Sequence, residues 1–190
     1  MEESGWKTLD TRVVYRDRWF SVEEDKVELP NRKITAFTII KADLPTMNCV
    51  GVVPFLNNGR ILLVRQYRYR YKFFNWEIPT GAVTANETFE EAAQRELQEE
   101  TGYVAEKLTH LKTFHPNMSI VQTAHLFMGE NLKESQPPAG DKEEAEFILN
   151  VKEYDFDEAL RMVMSGEIRD SLSIIGILCS NLRRLAKKEI

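Results

Sequence analysis

One helical segment interrupts a long succession of strand-like stretches, and that interruption limits the fold to a few classes. In TFEEAAQRELQEETG, residues 88–102, the side chains of Phe89, Ala92, Ala93 and Leu97 recur at helical spacing and form a narrow apolar face. Thr84 with Glu87, or Thr88 with Glu91, can close a capping box at its start, and Gly102 is a natural C-terminal stop. The spacing predicts a helix over 88–101. Before it, TRVVY, WFSVEEDKVEL and KITAFTIIKA are rich in β-branched and aromatic residues, and Pro30-Asn31 reads as the turn between the last two. Leu44-Pro45 ends that unit. CVGVVPFL and RILLVRQYRYRYKF then read as two strands joined by Asn57-Asn58-Gly59, a hairpin turn, and WEIPTG closes on a further turn. After the helix, KLTHLKTF, TAHLFMGENL and EFILNVKEY read as strands and SQPPAGDKEEAE as an exposed loop. FDEALRMVMSGEI and SLSIIGILCSNLRRLAKK are amphipathic helices. Strands, one helix, more strands and two closing helices indicate a mixed α/β sandwich and not a doubly wound parallel sheet. A chain of 190 residues holds one such domain with room for a small extra lobe.

The central helix carries its acids in a costly place. At 100° per residue, Glu96, Glu99 and Glu100 fall within about 100° of one another, beside the apolar face and not opposite it. Like charges one turn apart repel by roughly a few tenths of a kcal/mol per pair. A solvated surface helix accounts for these acids if each is hydrated. A hard divalent cation such as Mg2+ accounts for them if they share it, because it takes oxygen ligands and keeps several waters. Arg95 can pair with Glu91 or Glu99 at four-residue spacing and so orient a ligand.

The net charge of -5 argues against an extended nucleic-acid surface or a membrane-binding face, and no apolar run approaches the roughly 18 residues of a membrane span. The start MEESGWK is acidic and polar, unlike a signal peptide, so a cytoplasmic location is the expectation. Cys49 and Cys179 stand far apart among apolar neighbours and read as buried reduced thiols.

Spacing separates the two readings of the helix. Gly81, five residues, Glu87, seven residues, Arg95-Glu96-Leu97, one residue, Glu99-Glu100, one residue, Gly102: this resembles the Nudix box, GX5EX7REUXEEXGU, where U is a bulky aliphatic residue. All seven fixed residues and Leu97 match without a gap, and Tyr103 stands where the pattern prefers an aliphatic residue. VRQYRYRYKFFNWEIPTG is similar to the ADP-ribose pyrophosphatase branch of that family, which reads close to VRQYR…WELPAG, and so is the late SGEIRDSLSIIGIL. The resemblance covers most of the chain. It implies a Nudix-type α/β/α sandwich around a mixed sheet over residues 46–190. An N-terminal antiparallel β-unit over residues 1–45 would precede it and help to build a homodimer. The implied activity is hydrolysis, with Mg2+ or Mn2+, of the pyrophosphate bond of nucleoside diphosphate sugars such as ADP-ribose or ADP- and GDP-sugars. The products would be a nucleoside monophosphate and a sugar phosphate.

Carried over residue by residue, the resemblance makes Glu96, Glu99 and Glu100 metal ligands and places Glu99 and Arg95 among the catalytic residues. Glu87 would assist, Arg95 would orient a glutamate, and Thr80 would offer its backbone carbonyl to a metal. In the same branch a glutamate of a late loop serves as general base and another near it binds metal. In GDKEEAEFIL, Glu144 and Glu146 take those two places, Glu143 is the alternative base, and a merely solvated loop is the bland alternative. Read as a strand, the basic-aromatic run puts Gln66, Arg68 and Arg70 on one face and Arg65, Tyr67 and Tyr69 on the other. Arg68 matches the arginine of the family's QYR and is the phosphate-binding candidate, with Gln66 beside it. The loop FHPNMSIVQT supplies His115 and Ser119 as further substrate-binding candidates. It lacks the S-P-G frequent in ADP-ribose pyrophosphatases, which favours a broader or different nucleoside diphosphate sugar. Trp19, Phe20 and Trp76 read as core packing in preference to base stacking.

The chemistry is self-consistent. A pyrophosphate repels an attacking hydroxide, metal ions neutralise its oxygens and acidify water, and a carboxylate base takes the proton. Two other readings stay open. One is hydrolysis of dinucleoside polyphosphates or nucleoside triphosphates, against which the WEIPTG flank and the N-terminal unit speak. The other is a non-catalytic, nucleotide-sensing Nudix domain, against which the full set of box glutamates speaks.

Overall fold

The computed structural model describes residues 5–18, 20–42, 46–136 and 148–188. Trp19, Leu44, Pro45 and residues 137–147 of the acidic loop, with Glu143, Glu144 and Glu146 among them, lie outside the described residues. The chain opens with an antiparallel meander of β1 (Lys7–Arg16), β2 (Phe20–Glu28) and β3 (Ile34–Ala42). Strand β1 is the edge of this sheet and is exposed at all ten of its residues.

The centre is a mixed sheet. Strands β4 (Asn48–Pro54), β7 (Thr80–Ala82), β8 (Tyr103–Phe114) and β10 (Thr123–Glu134) run in the order β7-β4-β10-β8, with β4 and β10 parallel and the other pairs antiparallel. A second sheet has β5 (Ile61–Arg68) between β11 (Ile148–Tyr154) and β6 (Phe73–Glu77). Helix α1 (Phe89–Thr101) covers one face, and α2 (Phe156–Ser165) and α3 (Ser171–Lys188) cover the other.

The alternation of strand side chains explains both cores. Val50 and Val52 of β4 pack with Ala92, Ala93 and Leu97 of α1, whereas Val53 packs with Leu126, Ile177 and Met162 on the side of α2 and α3. A strand buried on both faces reads as an unbroken apolar run, which is what CVGVVP is. Cys49 is buried and its thiol is pushed up to about 11 by that burial, while Cys179 is only half-buried.

The structure corrects three local expectations. The turn at Asn57-Asn58-Gly59 forms, with Gly59 at φ 81° and its N–H on the Leu56 carbonyl at 2.9 Å, but β4 and β5 then diverge into different sheets, bridged only at Phe55 and Ile61. The run RILLVRQYRYRYKF is not one strand: it turns at 69–72, where the N–H groups of Tyr71 and Lys72 reach the Arg68 carbonyl at 3.0 and 2.9 Å. Arg70 therefore lies in the turn and not on the face of Gln66 and Arg68. Finally, the loop after β8 contains a short strand, β9 (Ile120–Val121), that pairs in parallel with Ile40 and Lys41 of β3 and ties the N-terminal sheet to the rest.

Helix α1 starts where the capping pattern puts it. Thr88 accepts from the Glu91 N–H at 3.1 Å, and the Glu91 carboxylate accepts from the Thr88 N–H at 2.7 Å. Gly102 ends it in the left-handed region at φ 76°. Replacing Thr88 by Ala should lower unfolding free energy by about 1 kcal/mol, and by Gly only a few tenths of that. Urea unfolding of the two variants checks this ordering.

Candidate active site

Strand β7 is an edge, and its outward row of backbone groups meets α1. Pro79 and residue 83 bond to β4: the Pro79 carbonyl accepts from Val52 N–H and the Val83 N–H donates to Asn48, both at 3.0 Å. Backbone groups alternate sides along a strand, so those of Thr80 and Ala82 face away from β4. Both find partners on α1. The Thr80 N–H donates to Glu100 Oε2 at 3.3 Å, and the Ala82 carbonyl accepts from Arg95 Nη2 at 2.9 Å. The Thr80 carbonyl belongs to the same outward row.

Arg95 organises the acids. Its Nε and Nη2 grip both oxygens of Glu87 at 3.1 and 2.8 Å, and its Nη1 donates to Glu96 at 2.7 Å and to Glu99 at 3.2 Å. With the bond to Ala82 this uses all five guanidinium N–H groups. Glu91, one of the two partners expected for Arg95, instead closes the capping box. The Glu96 and Glu100 residues are 5% and 8% exposed, so they lie beside the apolar face as the helical spacing predicts. Glu96 presses on Gly81 so closely that a Cβ there would stand 2.0 Å from its carboxylate. The first glycine of the box is thus required by the glutamate fifteen positions later.

Among the described residues no three His, Cys, Asp or Glu side chains already stand together in a metal-holding cluster. The acids are shared out between Arg95 and the β7 backbone. The donor set still fits a hard cation: the buried Glu96 carboxylate lies over Gly81 and the buried Glu100 carboxylate sits on the Thr80 N–H beside it, next to an outward carbonyl.

A cleft of about 590 Å³ opens beside this set and shares Thr80 with it. Its walls include Arg68, Asn75 and Glu77 from the β5–β6 hairpin, Asn117, Ile120 and Gln122 from the loop that holds β9, and Arg169 and Asp170 before α3. Arg68 is there as expected, with its Nε on Glu77 Oε1 at 2.6 Å and its Nη2 on the other oxygen. Gln66 is buried opposite Asn75 and is not part of the lining. His115 and Ser119 are exposed outside it: the His115 ring is 3.2 Å from the Gln122 carbonyl, and the Ser119 N–H donates to Asn117 Oδ1 at 2.7 Å. Sequence reasoning missed Glu77, Asn75 and Asp170. The signal for the first was a lone acid between Trp76 and Ile78, five residues after a turn that folds it back towards Arg68. The Asp170 carboxyl is pushed above its ordinary range by burial first and then by Glu77. Trp76 packs edge-on against Tyr154 at 5.2 Å, as a core residue does.

The hydrogen bonds from Arg95 hold the Glu87 carboxyl down to about 2, from an ordinary 4.5. A lowered folded-state value stabilises the protein above the unfolded value, and that contribution is lost as pH falls through the folded one. In the presence of a chelator, wild type should therefore exceed Glu87→Gln in urea midpoint at pH 7, and the gap should narrow as pH falls from 4.5 towards 2. A gap independent of pH in that range would contradict this assignment.

Comparison with known proteins agrees with this geometry. A family model described as the NUDIX domain matches residues 45–170, and one described as the nucleoside diphosphate sugar hydrolase N-terminal domain matches residues 6–40. An ADP-ribose pyrophosphatase of Bacillus subtilis (strain 168) is 31% identical over 90% of this chain and 92% of its own. Another, of Mycobacterium tuberculosis, is 30% identical over 94% of this chain and 84% of its own. A methanol dehydrogenase activator of Bacillus methanolicus is 30% identical over 95% of both. A crystal structure of an ADP compounds hydrolase covers 97% of this chain and 95% of its own with a TM-score of 0.82, at 20% identity, and so shares the fold. The chain belongs to the Nudix family, with its box on the β7 edge and α1 and a nucleoside diphosphate sugar hydrolase N-terminal domain before it.

Proposed function

We propose that this protein hydrolyses the pyrophosphate bond of nucleoside diphosphate sugars in the cytoplasm, with Mg2+ or Mn2+. One observation carries the reading: Thr80 belongs both to the carboxylate set of the box and to a cleft whose volume suits a nucleotide-sized ligand. The N-terminal domain model and the ADP-ribose pyrophosphatase relatives support this substrate class.

In this reading Glu96 and Glu100 hold the cation with the Thr80 carbonyl, and Glu99 stands ready beside them. A bound divalent cation supplies charge neutralisation for the phosphoryl oxygens and acidifies water. Arg95 and Glu87 keep the carboxylates in place. Arg68 binds phosphate with Arg169, Asn117 and Gln122 beside it in the cleft, and Gln66, His115 and Ser119, which lie outside that lining, remain substrate-binding candidates. The general base is assigned to Glu144, with Glu143 as the alternative, and Glu146 is assigned to metal.

We further assign residues 1–45 to a dimerisation unit and residues 46–190 to the hydrolase. The exposed edge strand β1, with Val13 and Val14 54% and 59% exposed, supports a homodimer. Among the described residues no helix is long and apolar enough to cross a membrane.

A panel of ADP-ribose and of ADP-, GDP- and UDP-sugars with Mg2+ or Mn2+ tests the reading, and at least one should yield a nucleoside monophosphate and a sugar phosphate. Turnover of none of them, with turnover of dinucleoside polyphosphates or triphosphates instead, would overturn it. Glu100→Gln should lower kcat by more than about 100-fold, beyond what loss of a ligand's outer partner costs, while the circular dichroism spectrum stays that of wild type.

A further inference from the structure

The β5–β6 hairpin contains an ion pair that the box does not use. Glu77 is 1% exposed, yet it is a carboxylate in a strand flanked by Trp76 and Ile78. Both of its oxygens face Arg68, whose Nε and Nη2 form a two-pronged contact. That contact takes two of the five guanidinium N–H groups, and the other three point away from Glu77 by the planar geometry of the group. Arg68 lines the cleft and its side chain is 42% exposed, so one edge of the guanidinium is anchored in the protein and the other is presented to the cleft.

The anchor is itself fixed. Asn75, 2% exposed, donates from one amide nitrogen to Glu77 at 3.1 Å and to Asp170 at 3.2 Å, and its oxygen accepts from the Arg169 N–H at 3.2 Å. Asp170 in turn caps α3 by accepting from the Ser173 N–H at 2.8 Å, and the Ser173 hydroxyl accepts from the Ile78 N–H at 2.9 Å. Strand β6 and the start of α3 are thereby locked together behind the guanidinium.

We infer that Glu77 is a positioning residue: it holds Arg68 in the one orientation in which its free edge faces the phosphates of a bound nucleoside diphosphate. This rests on the proposal above that the cleft takes such a substrate. Two opposite effects set the sign of the outcome. The negative charge of Glu77 repels an anionic ligand, whereas the anchored geometry removes the rotamer freedom that a long arginine loses on binding. Substitutions separate them. Glu77→Asp keeps the charge and withdraws the carboxylate by one methylene, so it breaks the two-pronged grip without relieving repulsion. Glu77→Gln removes the repulsion and keeps the length.

The readouts are KM and kcat for whichever nucleoside diphosphate sugar is turned over, and the Kd of ADP with Mg2+ by calorimetry. Positioning predicts that Glu77→Asp raises KM and the ADP Kd by about tenfold with kcat little changed, and that Glu77→Gln raises them less. In an Arg68→Lys background, where no fork exists to be oriented, Glu77→Asp should change either quantity by less than about twofold. Equal effects of Glu77→Asp in both backgrounds would overturn the inference, as a general structural role would produce them. So would tighter ADP binding by Glu77→Gln with Glu77→Asp unchanged, the signature of electrostatics alone. Wild type that does not bind ADP overturns it too. If wild type binds ADP with the predicted coupling but turns over none of the sugars, the function fails and the positioning stands. The reverse result fails the positioning alone. A measurement on the unmodified chain guards against variants that do not fold. The Arg68 Nε–H signal in a proton-nitrogen correlation spectrum should be protected from exchange and stay so on ADP titration. Its loss on binding would show Arg68 leaving Glu77 for the ligand and overturn the inference.

Discussion

The Arg95 guanidinium is the contact on which the rest of the site depends. It stands amid Glu87, just before α1, and Glu96 and Glu99, in the last turns of that helix, three carboxylates that would otherwise repel one another, and it adds the Ala82 carbonyl of the edge strand. The Arg95 side chain is only 28% exposed, and the side chains of its partners Glu87 and Glu96 are 14% and 7% exposed. Breaking a buried pair by removing one partner costs about 3–5 kcal/mol, because a charge is left without compensation. The helix can therefore carry these acids beside its apolar face for as long as one cation stays fixed among them. A second positive charge, that of a divalent ion, would then act on carboxylates already turned towards β7.

Two rigid frames converge on the cleft. On one side α1 is held to β7 by Arg95 and Glu100, and to β8 by Gln94, which exchanges two hydrogen bonds with the Ala105 backbone at 2.8 and 3.1 Å. On the other, Asn75, Asp170 and Ser173 join β6 to α3 behind Arg68. The loop between β8 and β10 closes the space between them, and its short strand β9 draws the N-terminal sheet up to the same region. A substrate in the cleft would thus meet groups anchored in several separate elements, which suits a reaction in which positioning and charge neutralisation supply most of the catalysis.

Local chemistry was legible in the sequence and long-range pairing was not. Helix α1 was readable because its apolar spacing, its capping box and Gly102 all depend on residues within a few positions of each other. The role of Gly81 in making room for Glu96 follows from the box spacing, although its reason appears only when the 2.0 Å approach is seen. The turn at 69–72 was missed because QYRYRYKF keeps its alternation through it and offers no glycine or proline to mark it. With that turn missed, Glu77 could not be paired with Arg68, nor Asn75 with an aspartate 95 positions later. The divergence of β4 and β5 after a well-formed turn is of the same kind, since a turn sets the direction of two strands but not which sheets they join. The parallel contact of β9 with β3 spans eighty residues, and two-residue strands carry no periodicity to read.

The central claim is that the glycine cradle and the Glu96 carboxylate it admits form part of a divalent-cation site. Titration of Mn2+ into wild type and Gly81→Ala, followed by calorimetry, tests it directly. The added methyl meets the end of the Glu96 side chain and no backbone, so the variant should still fold, at a lower melting temperature because Glu96 is displaced from Arg95. The account predicts Mn2+ affinity at least about tenfold weaker in the variant, the scale of a disturbed ligand shell. A folded Gly81→Ala protein that binds Mn2+ as tightly as wild type would contradict it.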